Sequence, residues 1–562
     1  MIWGGKNYYT VETAKVENLF RVEEDKKDKP LKKRLERRLS EQIIIAFCGP
    51  IGSNIKAASK AVEDALRKFK YEVVRIKVSD LIIENSEKIS ESIGYKIPLK
   101  KEELKGANRY FALQNAGNEL RKQYGHSILG ELIIKSINHD RVSRARKGET
   151  SSDNVIELAD IKSSHRVAYL IDSLKHPAEV EILRAVYRNS FYLLGILCVE
   201  DVRVERLKRD KVNGERIKAD EADILIARDK NEVYDYGQKL IKTLQYADFF
   251  VTNNKDESER LQTQLSRFFD LVFGVKIITP TKHEYAMYMA QSAAASSGCI
   301  SRQIGAVILN DRGDITASGY NDVPKPFGGL YVSGDTNDSR CCVNGKFCRN
   351  DDHKDDIKKD IQKILSEELS PYRKKSGKKL EDLAQKISTR ISKETRLKDL
   401  IEFSRAVHAE METIISAART GSSTIGCSLY TTTFPCHNCA RHIIAAGITN
   451  VYYIEPYEKS LAFELHKDSI VLEPFLENEG SKEDEKHGKV IFAHFEGVAP
   501  RQYLNLFYSK AERKMNGKAV ELPPSAAKPV NNEYLESWLE IELKISGELE
   551  KQGFREKINI DN

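Results

Sequence analysis

His408-Ala409-Glu410, followed within the stretch Val407 to Gly447 by Pro435-Cys436-His437-Asn438-Cys439, decides how this chain is read. One imidazole and two thiolates are a tetrahedral zinc donor set, and three protein ligands leave a fourth position open for water. His408, Cys436 and Cys439 are the expected ligands of a Zn2+ ion. Water on such an ion has a pKa of about 7, so hydroxide is available at neutral pH. Glu410 is the expected catalytic residue, a carboxylate that does not ligate and instead moves protons. The surroundings suit this. Cys427 to Phe434 reads as a strand, Pro435 sets the turn, and Cys436 to Ala446 reads as a helix ended by Gly447. Cys436 and Cys439 share a face of its first turn, where exposed amides favour thiolate. After His408, the residues Met411, Ile414, Ile415 and Ala418 form one apolar stripe, and Gly421 ends it. Ideal helical spacing would separate His408 from Glu410, so the backbone is expected to bend where this helix starts.

The pattern resembles the H-x-E … P-C-x-x-C signature of zinc-dependent nucleobase deaminases. A C-x-x-C alone would be weak, because turns and redox motifs share it. The full pattern on two helix starts is specific. By resemblance, Glu410 would take the proton of the zinc-bound water and deliver it to the ring nitrogen and the departing amine.

The bounds agree with a soluble enzyme. A chain of 562 residues has room for roughly three or four domains. Hydrophobic residues make up 40% and charged residues 31%, an ordinary balance for folded cores. No apolar run reaches the ~18 residues of a membrane span. Met1 to Lys6 lacks the apolar segment of a secretory signal. Nine cysteines without regular pairing point to a reducing, cytoplasmic setting. A net charge of +6 permits anionic ligands such as nucleotides without demanding nucleic acid.

Residues 1–40 end in a charge run, with Lys26, Lys27, Lys29, Lys32, Lys33, Arg34, Arg37 and Arg38 diluted by acids. It reads as a solvated segment, or as a contact for RNA or phosphate. Gln42 to Phe47 is a buried strand. The loop Cys48-Gly49-Pro50-Ile51-Gly52-Ser53-Asn54 follows, then a helix with Ile55, Ala58, Val62, Ala65, Leu66 and Phe69 on one face. Tyr71 to Val78 is the next strand. This is a phosphate-binding βαβ order, with Gly49, Gly52 and Ser53 as candidate nucleotide contacts. It resembles the P-loop of nucleoside and nucleotide kinases, but Ile55 stands at the lysine position and Lys56 at the Ser/Thr position. Arg109 to Tyr124, Arg166 to Asp172 and Ala247-Asp248 keep the kinase-like order. The expectation for 41–275 is a degenerate P-loop kinase-like domain on a doubly wound parallel sheet, regulatory rather than phosphotransferring.

Residues 276–510 are expected to form a three-layer α/β/α domain. Pro280 sits at the start of a helix Lys282 to Ser297. Ile304 to Asn310 and Asp314 to Tyr320 make a hairpin around Asp311-Arg312-Gly313. This half resembles deoxycytidylate deaminase: Gln303 to Ile308 and Gly319-Tyr320-Asn321-Asp322-Val323-Pro324 match that family's first strands, with Asp322 replacing its usual Gly. The resemblance makes Asn321 a candidate contact to the sugar or phosphate of substrate. Residues 330–405 are an insertion, with Ile357, Ile361, Ile364 and Leu365 spaced for one helix face. Residues 511–562 read as a helical extension.

As a whole the chain resembles the two-domain deoxycytidine nucleotide deaminases of bacterial antiphage defence. That resemblance implies deamination of dCTP or dCMP with depletion of dCTP, zinc as cofactor, and a homo-oligomer. The alternatives are a housekeeping dCMP deaminase and a nucleic-acid cytidine or adenosine base editor; the latter needs a basic track with stacking aromatics, which no stretch near His408 or Cys436 supplies. Some deoxycytidylate deaminases hold a second, structural zinc, and by that resemblance Cys299, Cys341, Cys342, Cys348 and His353 are its candidate ligands.

Overall fold

The structure is a computed structural model that describes residues 39–90, 93–146, 166–230, 232, 234–255, 259–369, 377–400, 403–457, 460–472, 488–508 and 513–554. The charge run before residue 39 lies outside them. The chain divides into two compact units: 1–279 together with 496–562, and 280–495.

The first unit is built on the strand β1 (Ile43–Cys48), every residue of which is buried. A strand covered on both faces cannot alternate, so Ile43, Ile44 and Ile45 run without a polar break. Helix α1 (Ile55–Lys68) follows, then β2 (Glu72–Lys77), α2 (Gly106–Tyr124), α3 (Ile128–Arg146) and β3 (Val167–Asp172). Next come α4 (Pro177–Tyr187), β4 (Phe191–Leu197), α5 (Glu200–Arg209), α6 (Ala219–Lys230), β5 (Phe249–Thr252) and α7 (Glu259–Val272). The strands lie in the order β2-β3-β1-β4-β5, all parallel. β2 and β3 lie on one side of β1 and β4 and β5 on the other, so the loop after Cys48 opens at a switch point of the sheet. Ile43, Ile45 and Phe47 bury one face against Val62 and Leu66 of α1 and Leu265, Phe268 and Phe269 of α7. Each such side chain contributes about 1.5–3 kcal/mol.

The second unit starts with α8 (Lys282–Ala294). Pro280 precedes the cap rather than providing it. Thr281 is the N-cap, and its hydroxyl accepts from Glu284 N while Glu284 returns to Thr281 N. The expected hairpin is present as β6 (Gly305–Leu309) and β7 (Ile315–Tyr320). The insertion forms α9 (Arg349–Leu369) and α10 (Gly377–Glu394), packed on each other. Ile357, Ile361 and Leu365 are half-buried there, but Ile364 stays 58% exposed, so the expected four-residue face is one residue too wide. Then come α11 (Ala409–Thr420), β8 (Ser428–Thr433), α12 (His437–Ala445), β9 (Asn450–Glu455), β10 (Ile470–Leu472) and β11 (Val490–His494). The sheet runs β10-β11-β9-β8-β6-β7, parallel except at β8-β6 and β6-β7. Leu429 of β8 joins Ala409, Ala417 and Ile443 of α11 and α12 in one core. Its neighbour Tyr430 points the other way and bonds His283 of α8 at 2.8 Å. The period of two thus sets helices on both faces.

The closing boundary differs from the expected 510. The second unit ends at Phe495, and the remainder returns to the first. Gly497–Val498 pairs antiparallel with β5, and Ala499 N donates to Asp248 O at 2.9 Å. Helix Glu536–Lys551 is no appended extension. Its Trp538 is fully buried edge-on to Tyr187, and its Glu542 meets Arg141 at 2.5 Å with both side chains buried. A buried ion pair of this kind requires a partner already in the core, and α3 supplies it.

Candidate metal centre

The site lies where two helices begin beside each other. His408 is the N-cap of α11, with extended backbone (φ −74, ψ 152). Extended backbone at His408 and helical backbone from Ala409 are what bring side chains two apart onto one side, as the sequence required. Val407 N donates to Asp322 O at 2.9 Å, which fixes the approach to that cap. Cys436 is the N-cap of α12, and its sulfur accepts from Cys439 N at 3.4 Å. Ser460 Oγ donates to Pro435 O at 2.7 Å and holds the turn.

His408 Nδ1 lies 3.4 Å from Cys436 Sγ and 3.3 Å from Cys439 Sγ, and the two sulfurs are 3.6 Å apart. Tetrahedral zinc with ~2.3 Å bonds to sulfur needs sulfurs about 3.8 Å apart, so the donor spacing fits the ion. Among the described residues these three are the one group of His, Cys, Asp and Glu donors gathered at metal-binding range. Glu410 is buried, and its Oε2 sits 3.5 Å from Cys439 Sγ, beside the donors but not among them.

The electrostatics follow from burial and proximity. Burial pushes the Glu410 carboxyl up to about 6. A hydrogen bond from Cys439, aided by His408, holds Cys436 down at about 4. The same sharing, with burial, pushes Cys439 up. The bond to Cys436 raises His408.

Asn321, the expected substrate contact, is buried and hydrogen-bonded within its own hairpin. Its Oδ1 accepts from Ile304 N at 2.7 Å and its Nδ2 donates to Arg302 O at 2.8 Å, so it clasps the segment leading into β6. Asp322, which interrupts the family pattern, is buried and accepts from Gly298 N at 2.8 Å. The departure from the family pattern is legible in the sequence; this hold on Gly298, ahead of β6, is not.

The second set of donors is not gathered. Cys299, Cys341 and Cys348 line one small pocket, with Ser301 Oγ 3.5 Å from Cys348 Sγ. The His353 ring instead packs on Phe403 at 5.1 Å. The expected second zinc therefore lacks its ligand geometry.

In the first unit, Gly49, Gly52 and Ser53 form the loop between β1 and α1. Asn54 takes left-handed backbone (φ 56) and its side chain accepts from Ala57 N. A Cβ on Gly49 would come within 2.8 Å of Ile196 O, so only glycine lets the loop approach β4 this closely.

Residues 280–455 match the cytidine and deoxycytidylate deaminase zinc-binding region. The chain is 44% identical over 54 residues to the deoxycytidylate deaminase of Enterobacteria phage T2, covering 10% of this chain and 29% of that protein. With the deoxycytidylate deaminase of Mus musculus it shares 26% over 171 residues, 30% of this chain and 63% of that protein. A cyanophage S-TIM5 dCMP deaminase, solved in apo form, aligns at 18% identity over 38% of this chain and 99% of that one, with a TM-score of 0.20 that carries no argument. The chain spans under a third of the length of the first curated relatives it matches. Residues 280–455 thus carry a zinc-binding region like that of these deaminases, and zinc is the ion that suits its His-Cys-Cys donors.

Proposed function

We propose that residues 280–495 hydrolyse the exocyclic amine of free deoxycytidine nucleotides, dCMP or dCTP, giving deoxyuridine nucleotides and ammonia. The observation that carries this is the buried Glu410 carboxylate beside three converging zinc donors. When bound, zinc lowers the pKa of a coordinated water and so supplies a nucleophile at neutral pH. His408, Cys436 and Cys439 hold the ion. Glu410, raised towards neutrality by burial, would take one proton from the attacking water and give it to N3, which keeps it, and would then carry the second proton from the new C4 hydroxyl to the departing amine. Incubating the purified chain with dCMP, dCTP and cytosine-containing DNA and RNA, then following uracil by mass, tests the reading. Deamination confined to nucleic acid would replace it with base editing.

Residues 41–275 form, on this proposal, a retired P-loop kinase that regulates deamination. The parallel order around β1 and the Gly49–Asn54 loop support the likeness, while Ile55 in place of lysine speaks against phosphotransfer. Isotope transfer from ATP to any deoxynucleoside monophosphate is expected to be absent. A regulated deaminase suits depletion of dCTP in a phage-infected, cytoplasmic setting, in preference to housekeeping. Nucleotide pools after infection, compared between cells carrying the wild type and Glu410→Gln, separate the two roles.

A further inference from the structure

The loop between β1 and α1 already holds an anion, and the anion is its own. Ile51 N donates to Asp229 Oδ2 at 2.7 Å, and Asp229 is buried near the end of α6. The other carboxylate oxygen, Oδ1, meets Lys175 Nζ at 2.8 Å. The same ammonium donates to Gly49 O at 2.6 Å. The cation missing at position 55 is thus present at the loop, delivered from the segment after β3. Ser53 points the same way. Its hydroxyl is buried without a hydrogen-bond partner, and it lies 2.8 Å from where a Cβ on Gly49 would sit. A built Cβ on Gly52 (φ +83) would meet Arg203 O at 2.8 Å, so the loop is glycine-tight on that side too.

We propose that Asp229 is a displaceable internal anion: a phosphate-bearing ligand binds this loop by taking the Ile51 amide and Lys175 from the Asp229 carboxylate. The inference rests on reading the loop as a phosphate site. Without ligand, Asp229 satisfies a buried amide and neutralises a buried-side ammonium, so the loop keeps its shape. The single Ile51 N–H cannot serve a phosphate while it serves the carboxylate, and the two anions repel when both crowd the same ammonium. The loop is therefore a competitive seat, filled by the chain itself until phosphate outcompetes it. Ser53 Oγ and Lys175 then become phosphate partners.

Calorimetry of the full chain, zinc-loaded, with inorganic pyrophosphate tests this. Asp229→Asn keeps an acceptor oxygen for Ile51 and removes the charge. It is expected to bind about tenfold to a hundredfold tighter than the wild type, the scale of lifting one like charge from a partly solvated seat. Adding Lys175→Ala to that variant is expected to abolish the gain. Equal affinity in wild type and Asp229→Asn, with binding lost in Lys175→Ala, overturns displacement and leaves the loop a phosphate site. Binding indifferent to Lys175→Ala, or no heat from any variant at millimolar pyrophosphate, overturns both. Asp229→Ser, which also keeps a small acceptor, gives the same comparison should the Asn variant fail to fold.

Discussion

At β1 to α1 the chain turns through Gly49-Pro50-Ile51-Gly52-Ser53-Asn54; at β8 to α12 it turns through Phe434-Pro435-Cys436. Both junctions end a buried strand and present the first amides of a helix. Both cap that helix locally, through Asn54 to Ala57 N and through Cys436 to Cys439 N. They differ in what meets the positive end of the dipole. At the second junction the capping atom is itself a metal ligand, and the neighbouring donors stand apart by zinc-like distances with no carboxylate wedged among them. At the first, the nearby anion comes from far along the chain and is already paired with Lys175. A helix start is thus only a place where negative charge is welcome. Whether it serves a ligand depends on which group reaches it first.

The largest effect that would test the contrast is at the metal centre. Glu410→Gln keeps burial and shape but cannot accept a proton. Turnover of deoxycytidine nucleotides is expected to fall by about two to four orders of magnitude. Elemental analysis is expected to find zinc retained, since Glu410 is not a donor. Ammonia release near the wild-type rate would remove Glu410 from the chemistry and leave the two junctions less different than described.

Gly319→Ala is the next largest. An added Cβ would come within 2.6 Å of Thr413 Oγ1, 2.7 Å of Thr413 N and 3.0 Å of Ala409 O, so α11 must move off β7. Overpacking of this kind costs about 1–3 kcal/mol. Because His408 and Glu410 ride on that helix, a shift approaching ~1 Å would cost up to about a hundredfold in turnover. Urea unfolding and steady-state rates read the two effects separately. If turnover holds while stability falls, the site is not positioned by the seating of α11 on the strand.

Asn54→Ala is the smallest. It removes the cap on Ala57 and keeps a β-carbon at φ 56 without the side-chain hydrogen bond that offsets it, for a combined loss of about 1–2 kcal/mol. Asn54→Gly removes the cap and the β-carbon together and should cost only a few tenths. A comparison of the two melting curves sharpens the claim that the first junction is a structural turn held by local caps. Equal losses would mean that left-handed backbone at this position costs the Ala variant nothing.

The sequence by itself determined the elements and singled out the three donors that converge, because both depend on near neighbours. The continuous apolar run in β1, the stripe from Met411 to Ala418 and the Gly421 stop are readable from spacing alone. His408, Cys436 and Cys439 are readable because zinc selects donor types, and each sits at the start of a helix that the sequence announces. Tertiary structure decided the rest. Asp229 and Lys175 reach the loop from residues 178 and 126 positions away from their partners, and only the order of the strands brings them there. The amide of Asn321 bonds Ile304 N and Arg302 O, partners that only the closed hairpin brings to it. Residues beyond Glu496 return to the first unit because a free sheet edge at β5 and a buried Arg141 await them. Local pattern fixes which groups a segment offers. Which of them remain available for function is set by the partners that folding delivers from a distance, and no window of sequence contains those.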